Sequence, residues 1–132
     1  MKLNYDCIRT LLIVLEENLE YNNSLAMPSL MLANLLDIDE IKTYSKEDIV
    51  YSSKMLIEAG YIEARIIGSD TIIGSIVYYD VTFEGHKYID SIRDNKVWNK
   101  VKDKIKGQTS SITFDIIAEV AKAVILGFIG LK

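Results

Sequence analysis

The chain has 132 residues, 49% hydrophobic and 26% charged, enough apolar material for one globular domain with an appended helical segment and too much for a disordered chain. One cysteine, Cys7, and one histidine, His86, exclude an internal disulfide framework and a Cys/His metal cage. The net charge of −4 is uneven. Residues 1–92 carry 7 Lys and Arg against 15 Asp and Glu, a balance of −8, and residues 93–132 carry 8 against 4, a balance of +4. An acidic body argues against strong non-specific DNA binding, which rests on neutralising phosphates.

Residues 4–20 predict an amphipathic helix capped by Asn4 or Asp6, with Ile8, Leu11, Leu12, Leu15 and Leu19 recurring at intervals of three and four. Tyr21 to Ser24 ends it, because Asn and Ser favour turns. In residues 25–44, Pro28 predicts the first turn of a short helix through Leu36. Ile38 to Tyr44 reads either as further helical turns or as part of a strand. Ser45 predicts an N-cap with Asp48 three residues on, and Ile49, Ser52, Ser53 and Leu56 share one face of the helix over 45–59. Gly60 stops that helix. Tyr61 to Ile67 and Ile72 to Val81, rich in β-branched and aromatic residues, predict a hairpin turning at Gly68-Ser69-Asp70. Thr82 caps a further helix with Tyr88, Ile89 and Ile92 inward. Asp94 or Asn95 starts another helix, carrying Val97, Trp98, Val101 and Ile105.

The order helix, short elements, capped helix, hairpin, helix predicts an α+β fold: a winged helix-turn-helix domain over 1–92, followed by C-terminal helices. These are a basic helix over 93–106, a linker over 107–111 and an apolar helix over 112–132. The most specific local signal is Glu58-Ala59-Gly60-Tyr61-Ile62 together with Thr82-Phe83-Glu84-Gly85 across the hairpin. No secretory leader is visible at Met1 to Asp6, where Asp6 and Arg9 interrupt any apolar run, so the expected setting is cytoplasmic.

Several segments carry a family likeness. They are Tyr5-Asp6-Cys7-Ile8-Arg9, Tyr44 to Tyr51, Leu56 to Ile62, Thr82 to Asp90 and Ile92 to Trp98. Through them the chain resembles the YjcQ-like proteins, an uncharacterised group from Gram-positive bacteria and their prophages, over about residues 4–106. The resemblance implies a winged-helix-like fold and no activity.

Catalytic chemistry is not expected. His86 is the only imidazole, no glycine-rich phosphate loop follows a strand, and Glu16-Glu17 and Asp37-Asp39-Glu40 read as solvated faces. Cofactors are expected to be none. The helix that would enter a major groove, 45–59, offers Lys46, Glu47, Val50, Tyr51 and Lys54 outward, with no arginine for guanine. The hairpin tip has no positive charge, and Arg65 is the only cation on the hairpin. Downstream, Arg93, Lys96, Lys100, Lys102, Lys104 and Lys106 crowd together, and Lys96, Lys100 and Lys104 share one helical face. The expected nucleic-acid residues are therefore Lys46, Tyr51, Lys54, Lys96, Lys100 and Lys104, with double-stranded DNA as the partner of a prophage-type regulator. The alternative is a protein-interaction module or oligomeric adaptor without nucleic acid. Ile117, Val120, Ala121, Val124, Phe128 and Leu131 form an apolar stripe expected to pack on its own domain or to pair subunits into a homo-oligomer. Membrane contact by this helix is the least favoured reading, because the charge-free run Ala123 to Leu131 is too short to span a bilayer.

Overall fold

The computed structural model describes residues 1–107 and 112–130. In chain order the elements are α1 (Tyr5–Asn18), β1 (Leu30–Met31), α2 (Leu32–Leu35), α3 (Lys46–Glu58), β2 (Ile62–Gly68), β3 (Ile73–Val81), α4 (Phe83–Ile92), α5 (Asn95–Ile105) and α6 (Phe114–Phe128). The fold is mixed α and β, with one antiparallel three-stranded sheet in the order β1-β3-β2. The chain forms two compact units, Met1–His86 and Lys87–Lys132.

In the first unit, Asn4 caps α1 by accepting the Cys7 N–H at 3.0 Å, and Ser45 caps α3 by accepting the Asp48 N–H at 3.1 Å. The apolar stripe of α1 buries Ile8, Leu11, Leu12 and Leu15, and α1 packs on α3 and β3. The inner face of α3 buries Ile49, Ser52, Ser53 and Leu56, as its periodicity predicts.

The segment between α1 and α3 departs from expectation. Pro28 does not open a helix. The chain there is irregular and enters β1, where Leu30 and Met31 pair with Tyr78 and Val77 of β3, and the helix starts only at Leu32. Proline has no N–H to give a ladder, so it sits just ahead of the paired residues, and the sheet partner outweighs the local helix-start signal. From Ile38 to Tyr44 the chain makes successive hydrogen-bonded turns, neither strand nor continuous helix. Ile41 anchors this segment in the core, and the Tyr44 hydroxyl meets Thr10 Oγ1 at 3.2 Å.

Two sequence signals far apart in the chain turn out to be one joint. Gly60 takes φ +78°, which ends α3 and releases its carbonyl. Thr82 donates its hydroxyl to that Gly60 carbonyl at 2.6 Å and its N–H to the Tyr61 carbonyl at 3.0 Å. The same hydroxyl accepts the Gly85 N–H at 3.1 Å and so caps α4. Gly85 has no side chain because a Cβ there would lie 2.1 Å from the Tyr61 carbonyl oxygen.

In the second unit, Asp94 caps α5 through the N–H groups of Lys96 and Val97, and Thr113 caps α6 through that of Ile116. The helices α5 and α6 pack together, burying Val97, Trp98 and Val101 on one and Ile117, Ala121 and Val124 on the other. Tyr88 meets Phe114 edge-to-face, ring centres 5.1 Å apart. Among the described residues no helix is long and apolar enough to cross a membrane.

Candidate binding surface

With one face of α3 committed to the core, its other face is left outward. Lys46, Glu47, Val50, Tyr51 and Lys54, spaced by one, three and four residues, line a groove of about 470 Å³. Ile73, at the start of β3, and Met1 complete its wall. Three of the six residues expected to meet nucleic acid, Lys46, Tyr51 and Lys54, are thus gathered in one concavity. Its two lysines are exposed while Val50 and Tyr51 are half-buried, so the floor is apolar and the rim is charged, with Glu47 offsetting one of the cations.

The outer half of the hairpin continues this apolar character. Ile66, Ile67, Ile72 and Ile73 are exposed by 39%, 44%, 69% and 41%. Their exposure was not legible in the sequence, where β-branched residues merely signalled strands. The turn between them is tight, with the Ser69 N–H bonded to the Ile72 carbonyl, and its charged residue is Asp70. A DNA backbone contact at such a tip would need cations.

Lys96, Lys100 and Lys104 lie exposed on α5, in the other compact unit. The wider basic cluster around them is partly spent inside that unit. Arg93 pairs with Asp90 at 2.7 Å, and the Lys102 ammonium sits 5.9 Å from the centre of the Trp98 ring. Lys96 also borders a second cleft, of about 520 Å³, with Asp90, Asp94, Ile125, Phe128 and Ile129.

The apolar stripe on α6 is divided. Ile117, Ala121 and Val124 are buried within the chain, Val120 is half-buried, and Phe128 is 52% exposed. Leu131 lies outside the described residues. Packing on the chain's own helices therefore covers the centre of the stripe and leaves its C-terminal end open.

His86 shows a relationship that the sequence hid. Its Nδ1 meets Glu16 of α1, 70 positions earlier, at hydrogen-bond distance. Glu16 therefore faces a partner rather than only water. The pair is exposed on the imidazole side. Among the described residues no group of three His, Cys, Asp or Glu side chains could hold a metal ion.

The family model described as "Hypothetical protein (DUF2513)" matches residues 2–111. The chain belongs to the DUF2513 family. A Haemophilus influenzae protein (strain ATCC 51907 / DSM 11121 / KW20 / Rd), titled "Uncharacterized protein", is 34% identical over 125 residues, covering 95% of this chain and 96% of its own length. No solved structure matches the chain. The expectation of an uncharacterised domain family holds, and the family matched is DUF2513. The family match ends ahead of α6, whereas the alignment with the Haemophilus protein covers nearly the whole chain.

Proposed function

We propose that this DUF2513 chain is a non-enzymatic winged-helix module that docks a protein segment in the groove between α3 and the hairpin. In this reading α1, α2 and α3 are the helical part of the winged helix, β2 and β3 are the wing, and β1 is the short strand that closes the sheet. The element order and the pairing of β1 with β3 support it. The YjcQ-like resemblance, and with it a prophage setting in the cytoplasm, belongs to the same proposal.

The observation that carries the choice of partner is the groove's composition. Val50 and Tyr51 give it an apolar floor, Ile73 and Met1 an apolar wall, and Lys46 and Lys54 stand at its rim. Such a surface fits a short amphipathic segment with an apolar anchor and flanking carboxylates. Fold analogy alone favours DNA, and it is an associational warrant. A second reading, DNA binding, has its own observation in the exposed row Lys96, Lys100 and Lys104.

One experiment separates the two. The full chain is screened against a displayed library of short peptides, and the selected peptide is titrated while the backbone amide resonances are followed. In parallel, a pool of DNA duplexes is titrated at about 50 and 200 mM salt. The docking reading expects shifts clustered at Val50, Tyr51, Lys54 and Ile73, lost in Val50→Glu. Failure to select any peptide, with DNA binding that weakens steeply with salt and is lost in Lys46→Glu with Lys54→Glu, would replace it by the DNA reading.

A further inference from the structure

Among the described residues the strand β2 is an edge of the sheet, hydrogen-bonded to β3 on one side and to no strand on the other. Proteins guard such edges with prolines, bulges, short length or charged side chains, because a free row of N–H and C=O groups recruits another strand. Of these devices β2 has only charge, in Glu63 and Arg65. It runs for seven residues, Ile62–Gly68, without proline. The ladder has two irregularities, but the extra residues, Tyr79 and Gly74, fall on the inner strand β3. The outer strand is left regular.

The residues along this edge are self-complementary. Glu63 and Arg65 are both exposed, and neither has an ion-pair partner among the described residues. Alternation puts them on the same face of the strand, with Ile62, Ala64 and Ile66 on the other. We propose that β2 pairs antiparallel with β2 of a second copy about a two-fold axis at Ala64, joining two three-stranded sheets into one.

In that register Glu63 of each copy stands directly opposite Arg65 of the other, so the ion pair forms twice. Ile62 stands opposite Ile66, which covers one of the exposed isoleucines with an apolar neighbour. A two-fold axis moved to Glu63 or to Arg65 would set like charges face to face, which cross-strand pairs resist. Charge therefore selects the occupant as well as the register, since the sequence that complements this edge is its own. The pairing uses the outer edge of the hairpin and does not depend on what fills the groove at α3.

The test is a charge-swap cycle on the full chain, read by sedimentation equilibrium over a range of concentrations. The wild-type chain is expected to reach twice its monomer mass. Glu63→Arg alone and Arg65→Glu alone each place like charges opposite one another and should raise the dimer dissociation constant by about tenfold or more. Glu63→Arg combined with Arg65→Glu in one chain should restore the wild-type value. An equimolar mixture of the two single variants should form a heterodimer, because every opposed pair is then of opposite sign. A wild-type chain that stays monomeric throughout overturns the proposal. So does a dimer indifferent to both single substitutions, which would point to a different interface. Should one single variant fail to fold by circular dichroism, the double variant still decides between restoration and loss.

Discussion

The Tyr78 hydroxyl, in the middle of β3, lies 2.6 Å from the Ser53 hydroxyl on α3, and both side chains are fully buried. Ser53 gives its one hydroxyl proton to the Ile49 carbonyl at 2.7 Å, so Tyr78 is the donor of the pair. Burial pushes the Tyr78 phenol up to about 12. In the unfolded chain the phenol ionises near its ordinary value of 10.0. Between these values the unfolded state releases a proton that the folded state keeps, so the contribution of Tyr78 to stability is complete below pH 10 and is lost as pH rises towards 12. The loss is about 1.4 kcal/mol per pH unit. Tyr78→Phe should cost about 1 kcal/mol at neutral pH, because Ser53 keeps its bond to Ile49. At pH 11 the deficit should have closed. Urea unfolding of both proteins at pH 7 and pH 11 measures this, and a deficit unchanged by pH would contradict the assignment.

Gly85→Ala should be among the most damaging single-carbon additions in the chain. The added Cβ would meet the Tyr61 carbonyl oxygen and the Val81 Cγ1, and the carbonyl is fixed by its bond to the Thr82 N–H. A loss of about 3 kcal/mol is expected from overpacking. Thr82→Val, which keeps the shape but removes the bonds to Gly60 and Gly85, should cost about 2 kcal/mol. Thermal unfolding of the two variants checks both magnitudes.

Cys7 is fully buried on α1 and accepts the Ser52 hydroxyl at 3.4 Å. Burial pushes its thiol up, only partly countered by that hydrogen bond, so little thiolate forms at neutral pH. An aromatic disulfide reagent should label the native chain only as fast as the fold opens and should label the urea-unfolded chain at once. Rapid labelling of native protein would mean that the α1–α3 contact opens readily.

Ile117→Asp should disrupt the second unit. The residue is fully buried on α6, which packs on α5, and a carboxylate there has lost its water without gaining a partner. Several kcal/mol of local destabilisation is expected, on the order of 3 to 5. The emission of Trp98, the single tryptophan and itself buried, should shift to the red. Phe128→Ser, at an exposed position, should leave that emission unchanged.

The helices and the hairpin were legible because each carries a local rule. Ser45, Asp94 and Asn4 are caps whose side chains have one job, and the burial of Ile49, Ser52, Ser53 and Leu56 follows from their spacing on one face. Thr113 could have been read in the same way, since it stands just ahead of α6. The candidate surface was half legible. Lys46, Tyr51 and Lys54 follow from subtracting the buried face of α3, but the sequence does not bring Ile73 and Met1 to the same groove.

What the sequence determined by itself was the helices α1, α3, α4, α5 and α6 and the two hairpin strands, with their limits to within a few residues and the face each helix turns inward, because those depend on neighbours within one or two turns. Only the tertiary structure decided that Leu30 and Met31 join the sheet, that His86 meets Glu16, and that α6 spends the centre of its apolar stripe on the chain itself. The same holds for β2, whose place at a bare edge depends on the strand order β1-β3-β2. A strand's own residues state how readily it pairs, but how many partners it has is fixed by the segments that arrive from elsewhere in the chain.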